Sequence, residues 1–320
     1  MPARCCGPMR CAERLRKCQR GAAIILALLA ASLAAMLAAA ALADFGHAYD
    51  IHAGRHEQAQ SRQLALGAVD WARSVLAQDG RNSSSDHPGE AWAIRIPPTP
   101  IDGDPAAGII GGHISELSGR FDLNALHPSR RLHGAARTHC ERLFGLVLGD
   151  AGTATRLVHA LDVHLRTPPS STETGTSANG KPAARYGLLL ASVDELLRLP
   201  GFDADILAAL APHLAALPAG APINANTATP EVLAAVVEGL PLDQARLLAA
   251  ERERIWYRNP GDFRARLGEG AVPPGREVLD VRSRYFRVDI HAAYGEAVTR
   301  LHALLERERN WPTLLWYRYE

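Results

Sequence analysis

Hydrophobic positions along this chain change their period several times, and each change marks a different element. From Gly21 to Ala43 the apolar run is unbroken: no residue is charged, and Ser32 carries the only hydroxyl. As an α-helix that run extends about 34 Å, enough to cross a hydrocarbon core of about 30 Å. Beyond Asp44 the apolar residues thin to a stripe of Leu64, Ala68, Trp71 and Val75, with Leu66, Val69, Ala72 and Leu76 beside it. This is the 3.6-residue period of a helix that buries one side. No proline lies between Asp44 and Ser61, and Gly46 and Gly54 weaken a helix without ending it. The pattern predicts one helix from about Ala22 to Ala77, roughly 84 Å long, stopped by Gly80, Asn82 and the serines that follow.

Next, AWAIRIPPTPIDGDPAAGIIGGHISELSGRFDLNAL divides short apolar stretches with Gly, Pro and Asp, which predicts strands and turns. From about Ser129 the helical period returns in CERLFGLVLGD, TATRLVHALDVHL, VDELLRLPGFDADILAALAPHLAAL, TPEVLAAVVEGL and LDQARLLAAERERIWY. N-cap candidates are Ser192 with Glu195 as capping-box partner, and Thr227 or Thr229 ahead of Pro230 and Glu231. Residues 167–184 carry almost no large apolar side chain and read as a mobile loop. At the C-terminus VLDVRSRYFRVDIHAAY alternates with period two, EAVTRLHALLERE is open to strand or helix, and TLLWYRYE reads as a last strand.

Sheet-like segments therefore flank the helices on both sides. That order fits a helical domain inserted into a small α/β domain better than two domains end to end. The expected boundaries are a leader at 1–21, a transmembrane and amphipathic helix at 22–78, a first α/β part at 79–124, an inserted helical domain at 125–274 and C-terminal strands at 275–320.

Charge changes the picture at one end only. Net charge is +1, so no overall field draws the chain to nucleic acid. Arg14, Arg16, Lys17 and Arg20 stand before the apolar run, which places the N-terminus in the cytoplasm and the remainder outside. Ala41-Leu42-Ala43 is a passable signal-peptidase site, but the apolar run is longer than a secretory signal needs. Cys5, Cys6, Cys11 and Cys18 all precede Gly21, without the spacing of a zinc site, and Cys140 has no partner in the body of the chain.

Other candidate chemistry is weak. His52 and His56 are four apart and His159 and His164 five apart, with no third ligand at a recognisable spacing. Ser83-Ser84-Ser85-Asp86-His87 reads as a turn-rich loop, since catalytic triads are assembled from separated segments. LLRLPGFDADILAAL and PINANTATPEVLAAV resemble helix-hairpin-helix modules, whose hairpins present N–H groups to phosphate. Here Asp194, Glu195, Asp203 and Asp205 outweigh Arg198, and Arg246, Arg252, Arg254 and Arg258 are interleaved with Glu251 and Glu253. A protein-interaction version of that small helical fold is the better reading. Trp256, Tyr257, Phe263, Trp311, Trp316 and Tyr317 read as core or edge-strand residues, of which one or two could anchor a neighbour.

A basic leader ending in glycine, joined to a retained apolar helix, resembles the type IV pilin and pseudopilin class. The resemblance implies that a prepilin peptidase cuts between Gly21 and Ala22 and that the new amine of Ala22 is methylated. The class carries a glutamate five residues after the cut, where this chain has Leu26. Further on, GRFDLNAL at 119–126, LASVDELLRLPGFD at 190–203, PINANTATPEVLAAV at 222–236 and VRSRYFRVDI at 281–290 are similar, in order, to landmarks of the general secretion pathway protein K family.

These are the large minor pseudopilins of type II secretion. The resemblance implies a pilin-like α+β fold: a long N-terminal helix on a small antiparallel sheet, with a large inserted all-α domain of helix-hairpin-helix type. It implies a structural, non-enzymatic role at the tip of a periplasmic pseudopilus, initiating and capping its assembly. The partners implied are other minor pseudopilins, the prepilin peptidase, the inner-membrane secretion platform and secretin or cargo, with no nucleic acid. The location implied is the inner membrane, crossed once, with the bulk in the periplasm. The family also has an acidic stretch with a calcium-binding role, but here the corresponding residues, 159–164, keep only Asp162 as a carboxylate. Hard cations need six or more oxygen ligands, so Asp162 is only a weak metal candidate: no cofactor is expected from the residues, and calcium is left open only as what the resemblance implies. Two other readings are an exported hydrolase behind a signal peptide and a membrane-tethered DNA receptor.

Overall fold

The computed structural model describes residues 9–168, 186–308 and 311–320, with side chains from residue 23 onward. Within it the chain forms two units, residues 1–60 and residues 61–320. Helix α1 spans Met9–Asn82, starting earlier than the apolar run and ending later than expected. Gly80 does not stop it; the helix ends in the Ser83–Ser85 loop, where the Ser83 N–H still reaches Asp79 O at 2.9 Å. The predicted 167–184 loop falls largely outside the described residues.

In the larger unit, β1 (Ile96–Ile101) and β2 (Asp104–Glu116) follow α1. Next come β3 (Phe121–Asp122), α2 (His133–Leu148), α3 (Ala151–Arg166) and α4 (Ala204–Leu210). Strands β4 (Leu214–Ala215) and β5 (Ile223–Asn224) precede α5 (Pro230–Val236), α6 (Leu242–Arg252) and α7 (Pro260–Ala265). The chain closes with β6 (Leu279–Asp280), β7 (Tyr285–Tyr294), β8 (Ala297–Glu306) and β9 (Thr313–Tyr319).

The main sheet has the order β1-β2-β7-β8-β9, antiparallel at every junction. Its neighbours β2 and β7 are joined by the whole helical block, which is the signature of an insertion. EAVTRLHALLERE, open to either period in the sequence, is strand β8. Pairing with β7 on one side and β9 on the other settles the choice.

The insert is not purely helical. Two short parallel pairs, β3 with β4 and β5 with β6, stitch its ends together. Thr229 caps α5, its hydroxyl accepting from Val232 N–H at 3.3 Å. Ser192 makes no such bond, because residues 193–198 wind as a 3₁₀ helix. One core, including Leu143, Phe144, Leu161, Val232 and Phe263, fills the insert; another, including Val69, Leu76, Phe286 and Leu301, lies between sheet and helix.

Candidate functional site

Gly21, Ala22 and Leu26 lie on α1. Leu26 is 65% exposed, and no residue from Ala23 to Asp50 is buried by the described chain. One 18-residue window of this helix has a mean hydropathy of 2.5 with none of it buried. Such a surface is stable only against lipid or other apolar helices.

From Ser61 onward α1 lies on the sheet, but not by the stripe read from the sequence. The buried face is Ser61, Ala65, Val69, Ala72 and Leu76. Leu64, Ala68 and Val75 flank it half-buried, and Trp71 is 54% exposed. Ser61, Ala65 and Ala72 keep part of that face small beside Val69 and Leu76. The Ser61 hydroxyl then reaches Thr299 Oγ1 at 2.5 Å and Ala292 O at 3.3 Å. Spacing alone cannot separate adjacent stripes when both are apolar.

Arg307, just past β8, locks the end of α1 to the insert. Its Nη1 donates to Asp79 Oδ2 at 2.8 Å, and Nη2 pairs with Asp86. Asp86, inside the stretch expected to be a simple turn, is 2% exposed. Its Oδ2 accepts from Ser283 N–H at 2.6 Å, and its carbonyl accepts from Asn224 Nδ2 at 3.0 Å. Asp79, Asp86 and Glu90 bring carboxylate oxygens within 4.8 Å of one another. The Arg307 guanidinium supplies the positive charge such a set would ask of a cation. Burial, reinforced by Glu90, pushes the Asp79 carboxyl up to about 6 against the pull of Arg307. Nothing in the sequence flagged this group, since Arg307 and its two carboxylate partners are 228 and 221 residues apart.

Asparagine side chains join the four sequence landmarks in two pairs, residues 119–126 with 190–203 and residues 222–236 with 281–290. Asn124 Nδ2 donates to the carbonyls of Leu190 (2.9 Å) and Leu217 (3.0 Å), and its Oδ1 accepts from Leu190 N–H at 2.8 Å. Asn224 Nδ2 also donates to Ser283 Oγ at 2.7 Å. Asn226 exchanges bonds of 2.9 and 2.8 Å with the Tyr257 backbone. All three asparagines are at most 1% exposed, and they replace ladder partners where the chain has no regular structure.

Asp162, the weak metal candidate, is occupied. Arg166 Nε donates to both of its oxygens at 2.9 Å, and Arg137 Nη1 adds a contact at 3.3 Å. His159 and His164 point to solvent, as does His52. Arg252, one of the four arginines near the second hairpin, is also engaged, for its Nη1 donates to Ala225 O at 2.5 Å and its Nη2 to Ala228 O. Tyr257 and Phe263 are core residues, whereas Trp256, Trp311 and Tyr317 are exposed. Trp256 stacks on His87 with ring centres 3.9 Å apart. Cys140 is fully buried, and burial pushes its thiol far up, so it is inert.

Two family models, each described as type II secretion system protein K, match residues 119–219 and 223–282. The chain belongs to the type II secretion system protein K family. It is a minor pseudopilin of that system, and the family is a structural component. A type II secretion system protein K from Pseudomonas aeruginosa is 28% identical over 92% of this chain and 91% of its own length. One from Pectobacterium carotovorum is 26% identical over 91% and 93%. The solved GspK-GspI-GspJ complex of enterotoxigenic Escherichia coli contains a chain with the same fold. It matches at a TM-score of 0.66 and 22% identity, over 83% of this chain and 98% of that one. The hydrolase and DNA-receptor readings find no support in these likenesses.

Proposed function

We propose that this protein K family member is cut between Gly21 and Ala22 by a prepilin peptidase and held in the inner membrane by the helix that follows, with its bulk in the periplasm. There it takes the tip of the pseudopilus, where it initiates and caps assembly and meets secretin or cargo. The observation that carries this reading is Leu26, apolar and 65% exposed where the pseudopilin class has a glutamate. A carboxylate in hydrocarbon needs a partner, and in that class the partner is a neighbouring subunit's N-terminal amine. A subunit with leucine there has no such dock onto one ahead of it, which suits the first position and no other.

The bulk of the insert supports the same place, because closely packed filament subunits leave no room to repeat it. The GspK of the solved complex is found with GspI and GspJ. For this chain the partners are pseudopilins of those two types, acting with the inner-membrane secretion platform. The role requires no cofactor.

Sequencing the N-terminus of protein purified from membranes tests the processing step. Methylated Ala22 is expected, and Asp44 as the first residue would remove the anchor and the reading with it. Placement is tested by co-purification from membranes. Recovery of this chain with I-type and J-type partners, in one copy per complex, is expected. Several copies spaced along a filament would contradict a tip position.

A further inference from the structure

The main sheet has two unlike faces. Ile114, Val288, Ile290, Leu301 and Ala303 belong to the core shared with α1. Side chains alternate along a strand, so His113 on β2, Asp289 on β7, His302 on β8 and Arg318 on β9 face the other way. They are cross-strand partners in register, His113 with Asp289, Asp289 with His302 and His302 with Arg318. His291 and Arg300 form the adjoining row. The insert covers the far half of this face, where Ala215 and Leu217 pack on Tyr285 and Leu304.

The uncovered half is basic. Arg95, Arg287, Arg300 and Arg318 lie exposed on it or beside it. Its two carboxylates are already engaged. Asp289 is shared by Arg287 Nε at 3.0 Å, His302 Nδ1 at 2.5 Å and His113 Nε2 at 3.3 Å, and Glu320 lies 3.5 Å from His302 Nε2. By contrast, the guanidinium groups of Arg95 and Arg300 have no hydrogen bond or ion pair among the described residues. Both line one groove of about 350 Å³, together with Pro97, Pro98, Gly111 and Gly112. His113, on the same groove, is held below its usual range first by burial, with Asp289 pulling the other way and Arg95 and Arg287 adding to the fall. A chain with 35 basic and 34 acidic residues has no general excess to spread over its surface, so this one is local.

We propose that this basic half-face docks an acidic segment of a partner protein, whose carboxylates pair with Arg95 and Arg300 across the groove. A guanidinium is a planar fork that takes a carboxylate by two parallel bonds. An extended segment presents alternate side chains to one side about 7 Å apart, and the uncharged proline and glycine backbone of the groove sets no charge against it. A second copy of this half-face would bring like charge against like. With α1 on the opposite face and the insert on the adjoining half, this is the part of the sheet face left to a partner. The inference goes beyond the tip position and does not depend on it.

The test follows, by fluorescence anisotropy, a labelled peptide of alternating glutamate and alanine added to full-length protein in nonionic detergent micelles. Saturable binding is expected, with none for the same peptide carrying glutamine in place of glutamate. Arg95→Ala combined with Arg300→Ala should weaken binding about tenfold, and since both side chains are exposed and unpaired the fold should be unchanged. Arg254→Ala combined with Arg258→Ala removes the same charge from exposed positions in the insert and should leave binding as it was. Absence of saturable binding would overturn the proposal. So would a loss in the first pair no larger than in the second, because net charge alone would then be read. Displacement of the peptide by inorganic phosphate or glycerol phosphate, at the concentration of its carboxylates, would assign the groove to a free anion or a lipid headgroup and overturn the protein partner.

Discussion

Arg307 Nη1 stands 2.8 Å from Asp79 Oδ2, tying the residue that follows β8 to the last turn of α1 with both side chains less than a tenth exposed. Through Asp86 the same guanidinium reaches the loop that Asn224 fastens to the insert. Stalk end, sheet and insert thus meet at one buried cation.

Removing that cation should be costly. Arg307→Met leaves Asp79 and Asp86 buried without their counter-charge, and a loss of about 3–5 kcal/mol is expected. Chemical unfolding of the detergent-solubilised full chain measures it. A loss under about 1 kcal/mol, the range of exposed ion pairs, would show that the pair contributes as a surface pair does.

Stability should fall as pH rises through the weakly acidic range. The folded state holds protons on Asp79 and Asp122 more tightly than the unfolded chain, where aspartate titrates near 3.8. Stability from these groups is complete below that value and is lost as pH passes about 6 for Asp79 and about 7 for Asp122. Unfolding midpoints measured from pH 4 to pH 8 should show the decline, and Asp122→Asn, which cannot titrate, should flatten its upper part.

Asn124→Ala strands Leu190 N–H and the carbonyls of Leu190 and Leu217 in the core of the insert. A destabilisation of about 3 kcal/mol is expected, read from the denaturant midpoint. Asn124→Asp should be nearly as harmful, because a carboxylate cannot donate to those two carbonyls.

Two substitutions on α1 separate the observed face from its neighbour. Trp71 is 54% exposed, so Trp71→Ala should change stability by less than about 0.5 kcal/mol. Ala65 is fully buried against the sheet, and Ala65→Leu should cost about 1–3 kcal/mol by overpacking. Comparable effects from the two would mean the helix lies on the other stripe.

Leu26→Glu introduces the carboxylate that the pseudopilin class carries at this place. The variant should change its position in co-purified complexes, gaining a subunit ahead of it, as read by subunit-specific cross-linking from residue 22. Complexes indifferent to the change would remove the physical basis of the tip position.

Much of this architecture was legible in the sequence because it rests on local periods. An uncharged run from Gly21 to Ala43 demands an apolar environment whatever follows it, and period-two segments on either side of helical ones announce an insertion. The landmarks GRFDLNAL and PINANTATPEVLAAV were visible as words, but their meaning was not. Asn124, Asn224 and Asn226 bond to backbone or side-chain atoms between 31 and 138 residues away, apart from the local turn that Asn224 closes. Asp86 looked like one more polar residue of a turn.

The sequence by itself determined the apolar helix, the substitution of leucine at position 26, and the order of sheet and helices. The tertiary structure alone decided which face of α1 is buried, that β8 is a strand, that Arg307 closes on Asp79 and Asp86, and that Arg95 and Arg300 share a groove. The division has one cause. Hydrophobic periods are set by neighbours three or four residues apart, whereas a buried polar atom finds its partner wherever the folded chain happens to return.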